Sequence, residues 1–351
     1  MSEIIRAGLV GVTGYTGMEL ARILAAHPVI RLTAVTSREE AGRALEDIYP
    51  FLRGFACGKL CLIAPDPEAL AKSCDLAFLA VPHGAAMELA ATLRALGVKV
   101  VDLSADFRLR EAGIYREWYG QEHTQPARLK EAVYGLPELY AGEIAGAGLV
   151  ANPGCYPTSV ILALYPLLRQ GLVETGSVII DAKSGVSGAG RKASQAHLFS
   201  EVGESFRPYS VPRHRHTPEI EQELSLVAGR EVLVTFTPHL LPVNRGILSS
   251  IYLRPTAGAE EESLRAAFAG AYAGSRFVRL LPPGSLPELR YVRGSMYCDI
   301  GLVMDKRSGR LMVFSAIDNL CRGASGQAVA NANLMSGLPL ECGLEAAPLA
   351  P

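Results

Sequence analysis

Short apolar runs separated by amphipathic stretches mark the N-terminal part of the chain. The apolar runs are continuous enough for strands that are buried on both faces of a parallel sheet. Between them, at residues 18–26 and 85–96, apolar residues recur at the spacing of an amphipathic helix. We therefore predict a Rossmann-type doubly wound parallel sheet, with strands at residues 4–12, 30–36, 75–81, 98–103 and 148–151.

The second half of the chain has a different pattern. Apolar strands at residues 177–183, 231–237, 246–253, 299–304 and 310–316 are joined mainly by polar turns, with one helix at 260–273. This pattern predicts a second α+β domain with a mixed or antiparallel sheet. A final helix at 327–335 is expected to return to the first domain. We predict one domain at residues 1–151 and about 319–351, and a second domain at 152–318.

Composition narrows the classes of partner. The 351 residues are 49% hydrophobic and 20% charged, and 34 basic side chains are balanced by 35 acidic ones. A net charge of −1 provides no field to hold nucleic acid or an anionic membrane, so we expect a small-molecule partner, no nucleic acid and no membrane. The seven cysteines are irregularly spaced, and neither an export signal nor a long apolar segment is evident, which predicts a reduced, cytoplasmic protein.

A glycine-rich loop follows the first predicted strand and precedes the first helix. Glycines at this junction let the backbone approach a pyrophosphate, and the helix N-terminus supplies N–H donors. The alternative is an ordinary tight turn, but the flanking strand and helix favour dinucleotide binding. The candidate contacts are Gly11, Thr13, Gly14, Tyr15, Thr16 and Gly17.

The second predicted strand ends in Ser37 and Arg38 rather than in an acidic residue. An acidic side chain there would bind the ribose 2′-hydroxyl of NAD, whereas a hydroxyl and an arginine suit the 2′-phosphate of NADP. The alternative is that Arg38 is an ordinary surface arginine, since two glutamates follow it directly. We predict NADP(H). Two further strand ends, at Pro82 and Ser104, fall where open α/β sheets bind ligands.

Cys155 stands between the predicted strand at 148–151 and a helix over 159–169. The sequence Asn-Pro-Gly-Cys-Tyr-Pro-Thr places Pro157 where a first helical turn accepts a proline. Cys155 is therefore predicted at a helix N-terminus, where N–H groups and the helix dipole favour the nucleophilic thiolate. The alternative is a buried structural cysteine.

Two later segments carry polar chemistry. Ser184, Gly185 and Arg191 belong to a glycine-rich loop with hydroxyls and an arginine, which suits an anion such as phosphate. His214 and His216 would point the same way on a strand, so a metal pair is conceivable. No third ligand stands at a recognisable spacing, so we predict no metal and favour an acid or base that serves the cysteine.

These motifs, in this order, resemble those of the N-acetyl-γ-glutamyl-phosphate reductase family, the arginine-pathway members of the aspartate-semialdehyde dehydrogenase superfamily. The resemblance covers nearly the whole chain. It includes GVTGYTG at 11–17, FLAVPHG at 78–84, VDLSADFRL at 101–109, YGLPEL at 134–139, NPGCYPT at 152–158, SGVSGAGR at 184–191, HRHTPEI at 214–220, FTPHLLPVNRGIL at 236–248, and IDNL with GASGQA at 317–328.

The resemblance implies NADPH-dependent reduction of an acyl phosphate to an aldehyde, with Cys155 as the nucleophile. It implies His214 as the acid/base and His216 as its neighbour or a substrate ligand, although the residues alone leave the two unseparated. It also implies a homodimer or homotetramer. Further cofactor contacts would be Pro82, Ser184, Gly185 and Asn319, and substrate or phosphate contacts would be Ser104, Arg108, Asn152, Arg191 and Tyr209.

Two other functions stay open at this point. The lysine-pathway relative reduces a 2-aminoadipyl phosphate linked to an acidic carrier protein, and Arg207, Arg213 and Arg215 could form the basic surface it needs. They could equally bind the carboxylate of a small substrate. A non-catalytic NADP-binding module is the third possibility, but it would need neither Cys155 nor His214.

Overall fold

The structure is a computed structural model that describes residues 4–350. The chain forms two compact units. The first unit comprises the chain up to Pro153 together with Ala324–Ala346, and the second comprises Gly154–Gly323 and the residues from Ala347 onward. The predicted domain boundaries near residues 151 and 319 stay predictions.

Most of the secondary structure falls at the predicted positions, with ends that differ by a few residues. Within residues 4–350 the strands are β1 (Ile5–Val10), β2 (Ile30–Thr36), β3 (Leu76–Leu79), β4 (Lys99–Asp102), β5 (Val133–Tyr134), β6 (Leu149–Ala151), β7 (Ile179–Gly185), β8 (Arg207–Pro208), β9 (Thr235–Leu241), β10 (Ile247–Leu253), β11 (Val278–Leu280), β12 (Cys298–Asp305) and β13 (Arg310–Ile317).

The helices differ widely in length. In the same residues they are α1 (Tyr15–Leu24), α2 (Leu45–Ile48), α3 (Pro67–Ser73), α4 (Ala86–Ala95), α5 (Ala112–Tyr119), α6 (Pro126–Glu131), α7 (Pro137–Gly146), α8 (Cys155–Arg169), α9 (Phe199–Val202), α10 (Thr217–Ala228), α11 (Glu261–Tyr272) and α12 (Gly326–Met335). None of them is long and apolar enough to cross a membrane.

The sheet of the first unit is wholly parallel and has the order β2-β1-β3-β4-β6-β5. Its central strands are buried because apolar side chains project from both of their faces, as in β3, where all four residues are buried. The predicted doubly wound parallel sheet is confirmed. The strand order reverses between β1 and β3, and such a switch point opens a crevice at the carboxyl ends of the strands.

The sheet of the second unit is mixed, with the order β11-β12-β13-β10-β7-β9-β8. The β12–β13, β13–β10, β10–β7 and β8–β9 pairs are antiparallel, whereas β7 pairs with β9, and β11 with β12, in parallel. The predicted second α+β domain with a mixed sheet is confirmed. Helix α8 packs on one face of this sheet against β10 and β13, and α10 and α11 contact α8.

Helix α8 is deeply buried, because every residue from Tyr156 to Leu168 is buried. Its sequence has apolar or small side chains all round, as expected for a helix enclosed by other elements. Cys155 is half-exposed at its first position. The core of the second unit therefore holds in place the helix that carries the candidate nucleophile.

One predicted strand lies at a different position. Residues 231–234 do not extend β9, because Val232 N donates to Ser225 Oγ and Val234 N donates to Glu221 Oε1, both on α10. Those N–H groups are therefore unavailable to the sheet, and β9 begins at Thr235. The segment with His214 and His216 is a turn that leads into α10 and not a strand, so the i, i+2 argument for a metal pair does not apply.

Candidate active site

The predicted position of Cys155 at a helix N-terminus is confirmed. Cys155 is the first residue of α8, and Gly154 before it has the extended backbone of an N-cap (φ −68°, ψ 156°). No side chain caps this helix. Because the first N–H groups of a helix have no intrahelical acceptor, they and the helix dipole can stabilise negative charge near the sulfur.

The start of α10 lies directly against this cysteine loop. Gly154 N donates to Glu219 Oε1 at 2.8 Å, and Glu219 is only 1% exposed. The ring of His216 packs on the other side of the glycine: a Cβ built on Gly154 would lie 2.6 Å from His216 Nε2. Any side chain at position 154 would displace the histidine. The glycine thus lets His216 and Glu219 approach the residue next to Cys155.

His214 lies in a more apolar environment than its position in a turn suggests. Its ring contacts those of Tyr156, Tyr209, Phe236 and His216 at centroid distances of 4.9–5.6 Å. Burial, with a smaller effect of the Arg215 charge, lowers the pKa of His214 to about 4. The imidazole is therefore neutral near pH 7.

The tautomer of His214 follows from its hydrogen bond. His214 Nδ1 accepts from the backbone N–H of His216 at 3.1 Å. Because Nδ1 accepts, the neutral ring carries its proton on Nε2. His214 is therefore arranged to donate a hydrogen bond through Nε2 and to fix the backbone of His216.

Two tyrosine hydroxyls form a second polar group near Cys155. Tyr209 Oη donates to Tyr156 Oη at 3.2 Å, and Tyr156 Oη donates to His239 O at 3.3 Å. Burial, with a smaller contribution from the charge of Cys155, raises the pKa of Tyr209 to about 12. Burial likewise raises the pKa of Tyr156. Both hydroxyls stay protonated near neutral pH and can act only as neutral hydrogen-bond partners.

The turn after β13 closes the other side of the cysteine. Asp318 is fully buried; its carboxylate accepts two hydrogen bonds from Arg245, at 2.9 and 2.7 Å, and its carbonyl accepts from Gly323 N. A Cβ on Gly323 would lie 2.7 Å from the Cβ of Cys155. Asp318 therefore fixes a turn whose glycine lies against Cys155.

The other predicted contacts in the second unit fall into two groups. Ser184 and Asn319 are both buried, with 2% of their surface exposed. The side-chain amide of Asn319 accepts from Gly246 N at 2.7 Å and donates to Ser187 Oγ at 3.0 Å. Asn319 therefore ties the loop after β7 to the start of β10. Arg191, in contrast, is exposed at the end of that loop.

In the first unit, the glycine loop lies at the switch point of the sheet. Gly11 has φ +83°, and a Cβ there would lie 2.3 Å from Ala80 O at the end of β3. Helix α1 begins at Tyr15, with Gly14 as an N-cap that has no side-chain hydrogen bond. Thr13, Tyr15 and Thr16 are half-buried around this helix start. The arrangement leaves backbone N–H groups for a phosphate, as the sequence predicts.

The residues predicted to bind the cofactor at the ends of β2 and β3 differ in their exposure to solvent. Ser37 is 6% exposed, and its hydroxyl accepts from Glu40 N at 3.3 Å, whereas Arg38 is exposed at the end of β2. Pro82 is exposed after β3. The loop that contains Pro82 is held by Asp106, whose carboxylate accepts from Gly84 N at 2.8 and 2.9 Å. Arg38 is thus the accessible cation at this strand end.

Ser104, Arg108 and Asn152 lie close together. Their hydrogen bonds go to neighbouring side chains and to the backbone. Ser104 is 1% exposed and donates to Asp102 Oδ2 at 2.8 Å. Arg108 donates from Nε to Asn152 O at 2.8 Å and from Nη2 to Leu103 O at 2.9 Å. These side chains fix the ends of β4 and β6, and their assignment as substrate contacts stays a prediction.

Asp102 is a buried titratable group in this cluster. Complete burial, with the Asp106 charge second, raises the pKa of Asp102 to about 7. Hydrogen bonds from Ser104 act in the opposite direction. Within residues 4–350, no group of three or more His, Cys, Asp and Glu side chains is arranged to hold a metal ion.

Comparison with known proteins identifies the family. Residues 6–147 match the family described as "Semialdehyde dehydrogenase, NAD binding domain", and residues 155–319 match "Semialdehyde dehydrogenase, dimerisation domain". Proteins named N-acetyl-gamma-glutamyl-phosphate reductase from Citrifermentans bemidjiense and Moorella thermoacetica are each 52% identical to this chain, over 99% of it and 100% of their own length. The chain belongs to the N-acetyl-gamma-glutamyl-phosphate reductase family. The resemblance predicted from the motifs is confirmed.

Solved structures outside this reductase family share its fold. Aspartate semialdehyde dehydrogenase II of Vibrio cholerae, solved with ASA, has a TM-score of 0.72 at 17% identity, covering 96% of this chain and 99% of that one. The enzyme from Candida albicans, solved with NADP, has a TM-score of 0.72 at 15% identity, covering 95% and 99%. At these identities the likeness concerns the fold alone.

Sequence reasoning missed three members of the reductase site. Glu219 belongs to the His-Arg-His-Thr-Pro-Glu motif and Asp318 to the Ile-Asp-Asn-Leu motif, so the resemblance included both residues without giving either a role. Their roles were hidden because each acts on a backbone N–H that is distant in sequence. Tyr156 follows Cys155 directly, but only its packing shows that its hydroxyl meets that of Tyr209.

Proposed function

We propose that this protein is an NADPH-dependent reductase of N-acetyl-L-glutamyl 5-phosphate in arginine biosynthesis. The products are N-acetyl-L-glutamate 5-semialdehyde and inorganic phosphate. The observation that carries this proposal is Cys155 as the first residue of α8, beside the His216 ring and in a chain that is 52% identical to reductases of that name over their full length.

The chemistry proceeds through a thioester on Cys155. The thiolate attacks the acyl carbon, the bond from that carbon to the phosphate oxygen breaks, and phosphate leaves. Bound in the first unit, NADPH would supply the hydride that reduces the acyl carbon of the thioester. The resulting thiohemiacetal collapses: its hydroxyl gives up a proton, the carbon–sulfur bond breaks, and the aldehyde leaves.

We assign the proton transfers to the histidine pair. His216 packs on Gly154, next to the nucleophile, and is our candidate for the group that moves the proton. His214 holds the His216 backbone and presents its Nε2–H, which suits a hydrogen bond to the developing oxyanion or to the substrate. This assignment differs from the sequence prediction, which favoured His214 as the acid/base.

The residues of the first unit fit a dinucleotide. At Gly11 the space that a Cβ would need is filled by the end of β3, so only bare backbone can line the loop. The uncapped start of α1 would hold the pyrophosphate, and Arg38 the 2′-phosphate. We accordingly propose NADP(H) as the cofactor, with the first unit as the NADP-binding domain and the second as the catalytic and dimerisation domain.

We also propose a homodimer or homotetramer in the cytoplasm. The dimerisation-domain match over residues 155–319 supports the oligomer. The seven cysteines, all within the described residues, are free thiols, which fits a reducing compartment.

The reverse reaction tests the function. Purified protein with N-acetylglutamate semialdehyde, phosphate and NADP⁺ should produce NADPH, and Cys155→Ser should lower the rate by at least about 10³-fold because no thioester forms efficiently. Cys61→Ser, at an exposed cysteine of the first unit, should leave the rate unchanged. Equal rates for Cys155→Ser and the parent would refute the mechanism. A preference for the carrier-linked 2-aminoadipate semialdehyde would indicate the lysine-pathway reaction instead.

A further inference from the structure

The motif at residues 101–109 contains a buried aspartate that the proposed reaction does not use. Asp106 is fully buried, and its carboxylate accepts from Gly84 N at 2.8 and 2.9 Å and from Ala86 N at 3.0 Å. The hydroxyl of Tyr115 donates to it at 2.8 Å. Within residues 4–350 no basic side chain forms an ion pair with this carboxylate. A buried carboxylate without a counterion depends on such hydrogen bonds for its stability.

The two N–H groups lie at the start of α4. Ala86 is the first residue of this helix, and its N-cap, Ala85, offers no side-chain hydrogen bond. Asp106 caps the helix instead, from 20 positions further along the chain, where the helix dipole favours a negative charge. Ala105 N joins the same two segments, because it donates to His83 Nδ1 at 3.1 Å. Asp106 therefore fixes both the start of α4 and the loop at residues 80–85 that precedes it.

Helix α5 and the turn after it hold this carboxylate and the loop from another side. Tyr115 on α5 accepts from Gln121 Nε2 at 2.6 Å, and burial raises the pKa of its hydroxyl. The hydroxyl therefore stays protonated and donates to Asp106. Gln121 also lies against Gly84, where a Cβ would be 2.7 Å from Gln121 Oε1 and φ is +84°. The loop thus has no room for a different conformation at its glycine.

The order of the strands indicates which half of the cofactor would reach this loop. In the sheet, β1 lies between β2 and β3. The proposed sites for the 2′-phosphate and the pyrophosphate follow β2 and β1 respectively. The loops after β1 and β3 are in contact, since a Cβ on Gly11 would lie 2.3 Å from Ala80 O. A dinucleotide that crosses the strand ends in this order brings its nicotinamide half to the loop after β3.

We propose that Asp106 is a positioning residue for the nicotinamide half of NADPH. This inference rests on the proposed binding of NADP(H) by the first unit. Because Asp106 is fully buried, it acts through the loop at residues 80–85, whose exposed Pro82 is the predicted contact. Without the carboxylate, two N–H groups of the loop and the helix start lose their acceptor, and the loop must rearrange to find others. A loop that is not held in one conformation binds its ligand more weakly, because binding must then order it.

Calorimetric titrations with NADPH and with adenosine 2′,5′-bisphosphate, which represents the adenosine half alone, test the proposal. Asp106→Ala should weaken NADPH binding by at least about tenfold and leave the affinity for the bisphosphate unchanged. Asp106→Asn keeps an oxygen acceptor, so it should show a smaller loss of the same kind, and it replaces the alanine variant if that variant does not fold. A general loosening of the unit would weaken both ligands alike, so equal losses would overturn the proposal.

The matched control is Asp66→Ala, which removes another aspartate that caps a helix of the first unit. Asp66 accepts from Glu68 N and Ala69 N at the start of α3, so its loss should lower the melting temperature without changing either affinity. Parental NADPH affinity in both Asp106 variants would overturn the proposal, as would an equally large loss in Asp66→Ala. If the parent protein binds neither ligand, the proposed cofactor is wrong and the role of Asp106 is overturned with it.

Discussion

His214 and His216 are separated by one residue, yet they occupy different environments. His214 is enclosed by three aromatic rings and the ring of His216, and its Nδ1 is used by a backbone N–H. His216 has its ring against Gly154. The difference comes from the turn that precedes α10, which points the two side chains to different surroundings.

The depressed pKa of His214 predicts how stability depends on pH. Between about 6.5 and about 4, the unfolded chain binds a proton at this position that the folded protein does not. The free energy of unfolding therefore falls as pH is lowered through this window, by on the order of 3 kcal/mol from this group, and the loss is complete below the folded pKa. Above the window His214 contributes no pH dependence.

Denaturant titrations of the parent protein and His214→Asn over this pH range check the prediction. The amide oxygen of the asparagine can still accept from His216 N. The variant should have a flatter dependence on pH, since it lacks the titrating group. Parallel curves for the two proteins would show that His214 titrates alike in both states.

Glu219 binds the backbone next to Cys155, the candidate nucleophile. Glu219→Ala leaves Gly154 N–H buried without its 2.8 Å acceptor, which should lower the free energy of unfolding by about 1–3 kcal/mol. We expect kcat to fall by about 10²-fold, because a small displacement of Cys155 misaligns the attack. Glu219→Gln keeps an oxygen acceptor and should recover much of both losses. Steady-state kinetics and the rate of Cys155 alkylation measure the effect; a Gln variant as impaired as Ala would point to the charge and not to positioning.

At the scale of secondary-structure elements, α1 and α8 share a glycine N-cap. Both helices also have no side-chain cap and no acidic residue in the first turn. Helix α3, in contrast, has a side-chain cap, because Asp66 accepts from Glu68 N and Ala69 N. A capping side chain would occupy the first-turn N–H groups of α1 and α8, so its absence leaves both helix starts available for negative charge.

Helix α1 packs so closely on the loop after β1 that Gly17 has no room for a side chain. A Cβ on Gly17 would lie 2.4 Å from Gly11 O and 2.7 Å from the Cα of Val12, which are backbone atoms that cannot yield easily. We expect Gly17→Ala to displace the start of α1 and weaken NADPH binding by at least about tenfold. Fluorescence titration with NADPH measures the dissociation constant of each protein.

Gly142→Ala is the matched control for this substitution. No atom lies within 4 Å of the position that its Cβ would take on α7. It should leave NADPH affinity unchanged and raise stability by about 0.5–1 kcal/mol, as usual for an alanine in a helix interior. If Gly17→Ala also binds NADPH normally, the loop does not hold the pyrophosphate.

At the scale of the whole molecule, the second unit presents one sheet face that its own helices do not bury. Along β13 the buried residues Leu311 and Val313 alternate with the half-buried Met312 and Phe314. Tyr252 on β10 lies opposite Met312 on the same face. A face of this kind, in a segment that matches a dimerisation domain, is our candidate for the subunit contact.

Phe314→Glu should therefore dissociate the oligomer. A buried carboxylate at the contact would weaken association by several kcal/mol, enough to raise the dissociation constant at least about 100-fold. Light scattering after size-exclusion chromatography gives the mass. Phe51→Glu, at a 48%-exposed phenylalanine of the first unit, should leave the mass unchanged. An unchanged mass for Phe314→Glu would place the contact elsewhere.

Much of this molecule follows from local patterns in the sequence. Apolar runs and helical periodicity are enough for the parallel sheet of the first unit, because burial on both faces leaves a continuous apolar strand. The glycine loop and the position of Cys155 at the start of α8 also follow, since each depends on residues adjacent in the chain. These features are set by the backbone requirements of glycine and proline within a few residues.

Strand pairing and the polar contacts around Cys155 depend on residues that are distant in sequence, so only the tertiary structure decided them. Whether β7 pairs with β9 in parallel, and where β9 begins, is set by partners that the β9 sequence does not contain. Glu219 meets Gly154 across 65 positions of sequence, and Asp318 positions the glycine that lies against Cys155. A buried N–H or guanidinium needs a partner wherever the fold brings one, so only the folded chain shows which polar side chains hold Cys155, the candidate nucleophile, in place.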